Sequence, residues 1–186
     1  MIREIPTQSV PRSALPTEFA GLGAVGYAGR LFFMSWWVAH AQRTLSEDVP
    51  APPGDVRDFY VDLDNIRLVH PLIVSVQATS RTETPEGYLQ SYRVVDRIPL
   101  GPLTIKTSYR ARLHVRADGD VATEAEQPPG VHLRGTVSFA PIDGGTRMTE
   151  RMRITAPRPL AALTTREAVK AHVAMLSGIR RHFESA

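Results

Sequence analysis

From Gly87 to Pro157 the sequence repeats one device: apolar and polar residues alternate along a run, and a short turn closes it. "GYLQSYRVVDRI" and "LTIKTSYRARLHVR" are joined by "PLGP". "VATEAEQ" follows the Asp118-Gly119 turn, and "VHLRGTVSFAPI" leads through Asp143-Gly144-Gly145 into "GTRMTERMRITAP". Side chains on a strand point to opposite faces in turn, so this alternation marks strands with one dry side. Turns this short join antiparallel neighbours. Five consecutive strands of one sheet are therefore expected, and no other feature limits the fold as strongly.

The flanking segments complete the outline. "QRTLSEDV" reads as a first strand ended by "PAPPG", whose Pro52 and Pro53 suit a helix start. "GDVRDFYVDLDNI" is helical and short, and "HPLIVSVQATS" is a further β-rich run. One long helix, from about Pro159 to Phe183, closes the chain. At about 100° per residue, Ala168, Val169, His172, Met175, Leu176, Ile179 and Phe183 share one arc of it, with Arg166, Lys170, Arg181 and Glu184 opposite. The expected class is α+β. A curved antiparallel sheet of about seven strands wraps around the C-terminal helix, with two short helices after the first strand.

Register aims particular residues inward. In the last strand Met148, Glu150, Met152 and Ile154 share one face, and Arg147, Arg151 and Arg153 the other. Leu103, Ile105, Thr107, Tyr109, Ala111, Leu113 and Val115 form the dry face of a second strand. Tyr92, Val94 and Ile98 share a face with Asp96, and Val131, Leu133, Val137 and Phe139 form another dry face, leaving His114 and His132 outward. Glu150 and His172 thus point into one space. An elongated apolar cavity is expected between the sheet and the arc of His172, Met175, Leu176 and Ile179. Its lining would include Tyr92, Val94, Tyr109 and Glu150, with Tyr60, Asp96, Ile105, Leu113, Val137, Met148 and Met152 as further ligand contacts.

The candidate catalytic groups each have a structural alternative. Desolvation raises the pKa of a carboxyl in an apolar pocket, which would suit Glu150 to proton transfer. The alternative is that Glu150 pairs with an arginine, or meets water near the mouth of the curved sheet. His172 is either a proton-transfer group or a hydrogen-bonded core histidine. His70, before Pro71, either faces the cavity mouth or makes a local loop hydrogen bond. For Tyr60, Tyr92 and Tyr109 the competing role is plain packing.

Composition removes several chemistries. The chain of 186 residues suits one domain with an appendage, and it has no cysteine, which excludes disulfides and thiol catalysis. A net charge of +3 spread along the sequence gives no nucleic-acid footprint. There is no H-E-x-x-H, Walker lysine loop or G-x-S-x-G, and "DLDN" at Asp62 to Asn65 lacks the glycine and glutamate of a calcium loop. No metal and no cofactor is expected.

Residues 1–41 read as an extension to a domain of residues 42–186. A proline-punctuated arm precedes "FAGLGAVGYAGRLFFMSWWVAHA", in which Arg30 is the only ionic residue. The stretch approaches the length of a membrane span, but its glycines, Arg30 and the lack of a basic leader speak against one. A helix packed on the domain or across a homodimer contact is expected instead, in a cytoplasmic protein. The G-x-G-x-x-G from Gly21 to Gly26 has no strand before it and no crossover after it, so small residues for close packing explain it better than a dinucleotide site.

"VPAPPGDVRDFYVDLDNIRLVHP", "TRMTERMRI" and "AVKAHVAMLSGIRRHF" resemble the START-like (SRPBCC) superfamily, over residues 42–184. Bacterial members are often called polyketide cyclase/dehydrase or lipid-transport proteins. The family often has a Trp before the His-Pro pair, where Val69 stands here. The resemblance implies the helix-grip fold and a hydrophobic pocket, and carries over no invariant catalytic set. Two functions follow. The first is a cofactor-free, biosynthetic cyclase that folds a polyketide-like chain, with Glu150, His172 and His70 assisting. The second is a non-catalytic carrier or sensor of a lipid or other hydrophobic molecule. A partner-binding module of the antitoxin or co-chaperone kind rests on the outer arginines and the N-terminal aromatics alone.

Overall fold

A computed structural model describes residues 3–4, 37–100 and 102–185. Strand β1 (Arg3–Glu4) pairs with β2 (Val38–Val49), and two short helices follow, α1 (Pro53–Val61) and α2 (Leu63–Val69). Then come β3 (Ile73–Thr84), β4 (Gly87–Leu100), β5 (Leu103–Arg116), β6 (Val121–Gln127), β7 (Val131–Ile142) and β8 (Gly145–Pro157), and finally α3 (Arg158–Glu184). The sheet order is β1-β2-β8-β7-β6-β5-β4-β3, antiparallel throughout. Seven long strands thus wrap the C-terminal helix, and the two-residue β1 adds an eighth at one edge.

Strand β2 begins four residues before the expected Gln42. Val38 to Ala41 pair with Pro157 to Ile154 of β8, and these small residues continue the preceding apolar run without alternation to mark the boundary. Residues 19–36 of that run lie outside the described residues, so its expected helix does too. Trp37, at its end, is exposed.

The register of β8 follows its alternation. Met148, Glu150, Met152 and Ile154 are buried, while Arg147, Arg151 and Arg153 are exposed. Arg147 reaches across to Asp48 with two bonds of 2.8 and 2.9 Å, and Arg134 to Glu124 at 2.8 Å, so the outer face is partly a lattice of exposed ion pairs. His132 is exposed beside Glu126, whereas His114 is partly covered with its Nε2 buried. A second inward acid, Glu47 on β2, is buried and held by Arg180 and Ser177 of α3 at 3.3 and 3.4 Å.

Pro52 and Pro53 open α1, and Asp62 ends it in an extended conformation, then caps α2 by accepting the Asp64 N–H at 2.9 Å. Val56, Phe59, Tyr60, Leu63 and Ile66 go into the core. These helices cover the second half of α3: Phe59 lies 4.4 Å from the ring of His182 and 5.6 Å from that of Phe183. At Gly178 the helices touch so closely that an added Cβ would lie 2.7 Å from Val69 Cβ.

Two glycine-to-alanine changes should therefore have opposite signs. Gly178→Ala gains helix propensity but must displace Val69, and should destabilise by about 1–3 kcal/mol. Gly54→Ala, in α1 with nothing among the described residues within 4 Å of the new methyl, should stabilise by roughly 0.5–1 kcal/mol. Urea denaturation of both variants checks this, and stabilisation by Gly178→Ala would show that α2 does not sit against α3 as described.

Candidate functional site

Glu150 and His172 meet because of the way β8 runs into α3. From Glu150 to Pro157 the strand covers seven residues, or about 23 Å at strand rise. His172 comes fourteen residues after Arg158, or about 21 Å back along a helix. A helix folded back across its own strand therefore sets His172 over Glu150. Both carboxylate oxygens lie 2.9 Å from His172 Nδ1. Glu150 is 1% exposed and the His172 side chain 15%. The partner is a histidine, not the arginine that the sequence suggested as an alternative.

This geometry sets the direction in which the His172 pKa moves. Burial works against the imidazolium, but the Glu150 carboxylate and its hydrogen bond outweigh it and hold the pKa above the ordinary 6.5. Tyr60 is buried near the same carboxylate, and burial, then Glu150, keeps its hydroxyl protonated far above the usual range.

His172 forms part of the wall of a cavity of about 310 Å³ under the first half of α3. The other polar groups there include His70, Asp96 and Tyr109, and the apolar lining includes Leu72, Ile98, Ile105, Val131, Leu133, Leu160 and Leu163. The rings of His70 and His172 stand 5.8 Å apart and nearly perpendicular, at 86°. His70 Nδ1 accepts the Leu72 N–H at 3.3 Å, which is the local loop bond considered above, yet the ring also faces the cavity. Burial, then the neighbouring His172, lowers its pKa to about 3. A neutral ring whose Nδ1 is an acceptor carries its proton on Nε2. Asp96 is 6% exposed. Burial raises its pKa to about 6, against the opposing pull of the Tyr109 hydroxyl and His172. Tyr109 itself is pushed well above its ordinary pKa by burial and by Asp96.

Of the residues singled out in the sequence, His70, His172, Asp96, Ile105 and Tyr109 line this cavity. Glu150 stands behind His172. Tyr60, Tyr92, Val94, Leu113, Val137, Met148, Met152, Met175, Leu176 and Ile179 lie instead in the packed core. The space along α3 is divided: α1 and α2 fill the half facing Met175 to Phe183, and the opening remains over Leu160 to His172. The Tyr92 hydroxyl shows the closure, since it donates to the Val61 carbonyl of α1 at 3.2 Å. Ile98, Val131 and Leu133 were legible as inward, but Leu160 and Leu163 were not, because "RPLAALTT" carries no clear apolar arc. A wider groove of about 640 Å³ among the described residues runs between β2 and α3, with Ala39, Ala41, Ala156 and Ala161 in its walls. It lies away from the four polar groups above, so the smaller cavity is the candidate site.

Two titrations follow from these charges. In an NMR titration His172 should change charge above pH 6.5, and His70 only toward pH 3. Glu150→Gln removes what outweighs burial, so the His172 pKa should drop below 6.5; an unchanged value would break the assignment. For stability, the raised His172 pKa gives a contribution present below pH 6.5 and lost as pH climbs through the folded value. Asp96, about 3.8 unfolded and about 6 folded, carries a penalty absent below pH 3.8 and complete above pH 6. Asp96→Asn should then raise stability by roughly 2–3 kcal/mol at pH 7.5 and by little at pH 3.5, read by urea denaturation.

Residues 40–184 match the family described as polyketide cyclase / dehydrase and lipid transport. Among curated proteins no sequence matches. Among solved structures, the chain is similar to the Zhui aromatase/cyclase from Streptomyces sp. R1128, at 16% identity and TM-score 0.62, covering 79% of this chain and 94% of that one. It is similar to a STAR-related lipid transfer protein fragment from Xanthomonas axonopodis, at 16% identity and TM-score 0.54, covering 77% and 85%. It also resembles the di-domain ARO/CYC StfQ of the steffimycin biosynthetic pathway, at 14% identity and TM-score 0.62, covering 85% of this chain and 54% of that one. At these identities the structural likenesses establish the helix-grip fold, and the match over residues 40–184 establishes that the chain belongs to the polyketide cyclase/dehydrase and lipid-transport family.

Proposed function

We propose that the cavity binds a hydrophobic small molecule and promotes its ring closure without a cofactor. The observation that carries this reading is His172, clamped at Nδ1 by both oxygens of Glu150 and set in the wall of an apolar cavity. Ring closure by aldol addition joins an enol carbon to a carbonyl carbon, and the carbonyl π bond breaks. The enol gives its O–H proton to water as its own oxygen becomes a carbonyl, and the attacked oxygen needs a proton. An imidazolium can supply it from Nε2, and Glu150 keeps the ring charged and oriented. The apolar walls hold the chain folded so that its reacting carbons meet, which lowers the barrier through orientation. His70, neutral with its proton on Nε2, adds a second donor without a second charge.

The same cavity supports a second reading, a carrier of a hydrophobic ligand, and the likeness to a lipid transfer protein favours it. The two readings separate on function. Native mass spectrometry of the purified chain should detect a bound hydrophobic molecule under either one. With an enolisable poly-β-ketone thioester as substrate, a cyclase should lose turnover about 10²–10⁴-fold in His172→Ala and Glu150→Gln, with binding retained. Wild-type turnover should fall as pH rises through the His172 pKa, because the proton donor is then lost. No turnover by the wild-type chain, with tight binding, would leave the carrier.

A further inference from the structure

We propose that Asp96 receives a hydroxyl hydrogen of the ligand, so that the site selects phenolic or enolic rings over hydrocarbons and carboxylates of the same shape. This rests on the cavity being the ligand site. Asp96 projects inward from β4, opposite Thr107 of β5 and Ile73 of β3, with Val94 and Ile98 on its own face. It is 6% exposed, and its Oδ1 has no hydrogen-bond partner among the described residues. Tyr109 of β5 and His172 of α3 are the polar groups whose charge or hydrogen bonding bears on it. Lys106 and Glu167 complete the charged lining; Lys106 is exposed, and Glu167 is bonded to Arg166 at 3.0 Å.

A buried carboxylate accepts hydrogen bonds and, ionised, donates none. Leaving one oxygen unpaired is costly, and such a group is kept where something else completes it. The apolar part of the cavity lining, Leu72, Ile98, Ile105 and Leu163, has no side-chain donor and suits a flat apolar ring. A ring hydroxyl reaching Asp96 satisfies Oδ1. A carboxylate ligand, such as a fatty acid, would meet a like charge there, and a hydrocarbon would leave the oxygen bare.

The test measures binding of 2-naphthol, 2-methylnaphthalene and 2-naphthoate by calorimetry at pH 7.5. The expected wild-type order places 2-naphthol first, ahead of 2-methylnaphthalene by roughly tenfold or more. Asp96→Leu should abolish that preference and bind 2-methylnaphthalene at least as well as wild type does. Asp96→Asn, which keeps the shape, should lower the preference at least threefold and weaken discrimination against 2-naphthoate; its binding order decides between the outcomes should the leucine variant not fold. An equal naphthol preference in wild type and both variants overturns this inference while the cavity reading stands. Binding of none of the three probes by wild type overturns both.

Discussion

Between β8 and α3 a buried carboxylate grips one imidazole nitrogen with both oxygens, and much of the molecule is arranged around that contact. Burial alone would work against a charged His172, and the Glu150 carboxylate outweighs it. Together the two groups fix the position of α3 along β8. A shift of the helix by one residue would move His172 by about 1.5 Å and rotate it by about 100°, away from the carboxylate. The apolar arc of the helix tolerates such a shift better, because leucine and methionine repack. The polar pair therefore adds what hydrophobic burial lacks, a single registered position for the helix.

The two short helices then decide where the opening lies. An antiparallel sheet curved around one helix leaves more concave surface than the helix can cover. Here α1 and α2 fill one half with Phe59, Tyr60, Leu63 and Ile66, and Gly178 lets α2 approach α3 within contact of Val69. Among the described residues, the other half keeps its apolar lining without a filler. Leu103, on the inward-facing parity of β5, is accordingly 68% exposed: the sheet extends past what the helices cover.

Strand limits were the most legible part of the sequence. Leu103–Arg116, Val121–Gln127, Val131–Ile142 and Gly145–Pro157 are bounded as their alternation and turns imply, because period two and turn chemistry are local. Register was legible for the same reason, and it put Glu150 and His172 in one space. The position of the cavity was not. It depends on where α1 and α2 dock, and that docking hinges on a helix glycine whose meaning appears only when Val69 lies against it. Glu47 was missed although it shares a parity with Leu45 and Val49; the short run "QRTLSEDV" carries too few apolar residues to show its dry face. The unpaired oxygen of Asp96 is a property of the assembled site alone.

His172, His70 and Asp96, all in the cavity wall, are shifted in pKa for reasons that trace to separate elements. His172 holds its proton more tightly than a free imidazole because β8 supplies Glu150. His70, 5.8 Å away, is neutral above about pH 3 because burial, then the neighbouring His172, disfavours its charged form. Two imidazoles of the same intrinsic pKa are thus shifted in opposite directions, set by which one received the carboxylate. Asp96, on the opposite wall, keeps a pKa near 6 because its partners, Tyr109 and His172, only partly offset its burial. The pKa of a histidine in the cavity wall is therefore set from behind the wall, by a carboxylate outside the lining.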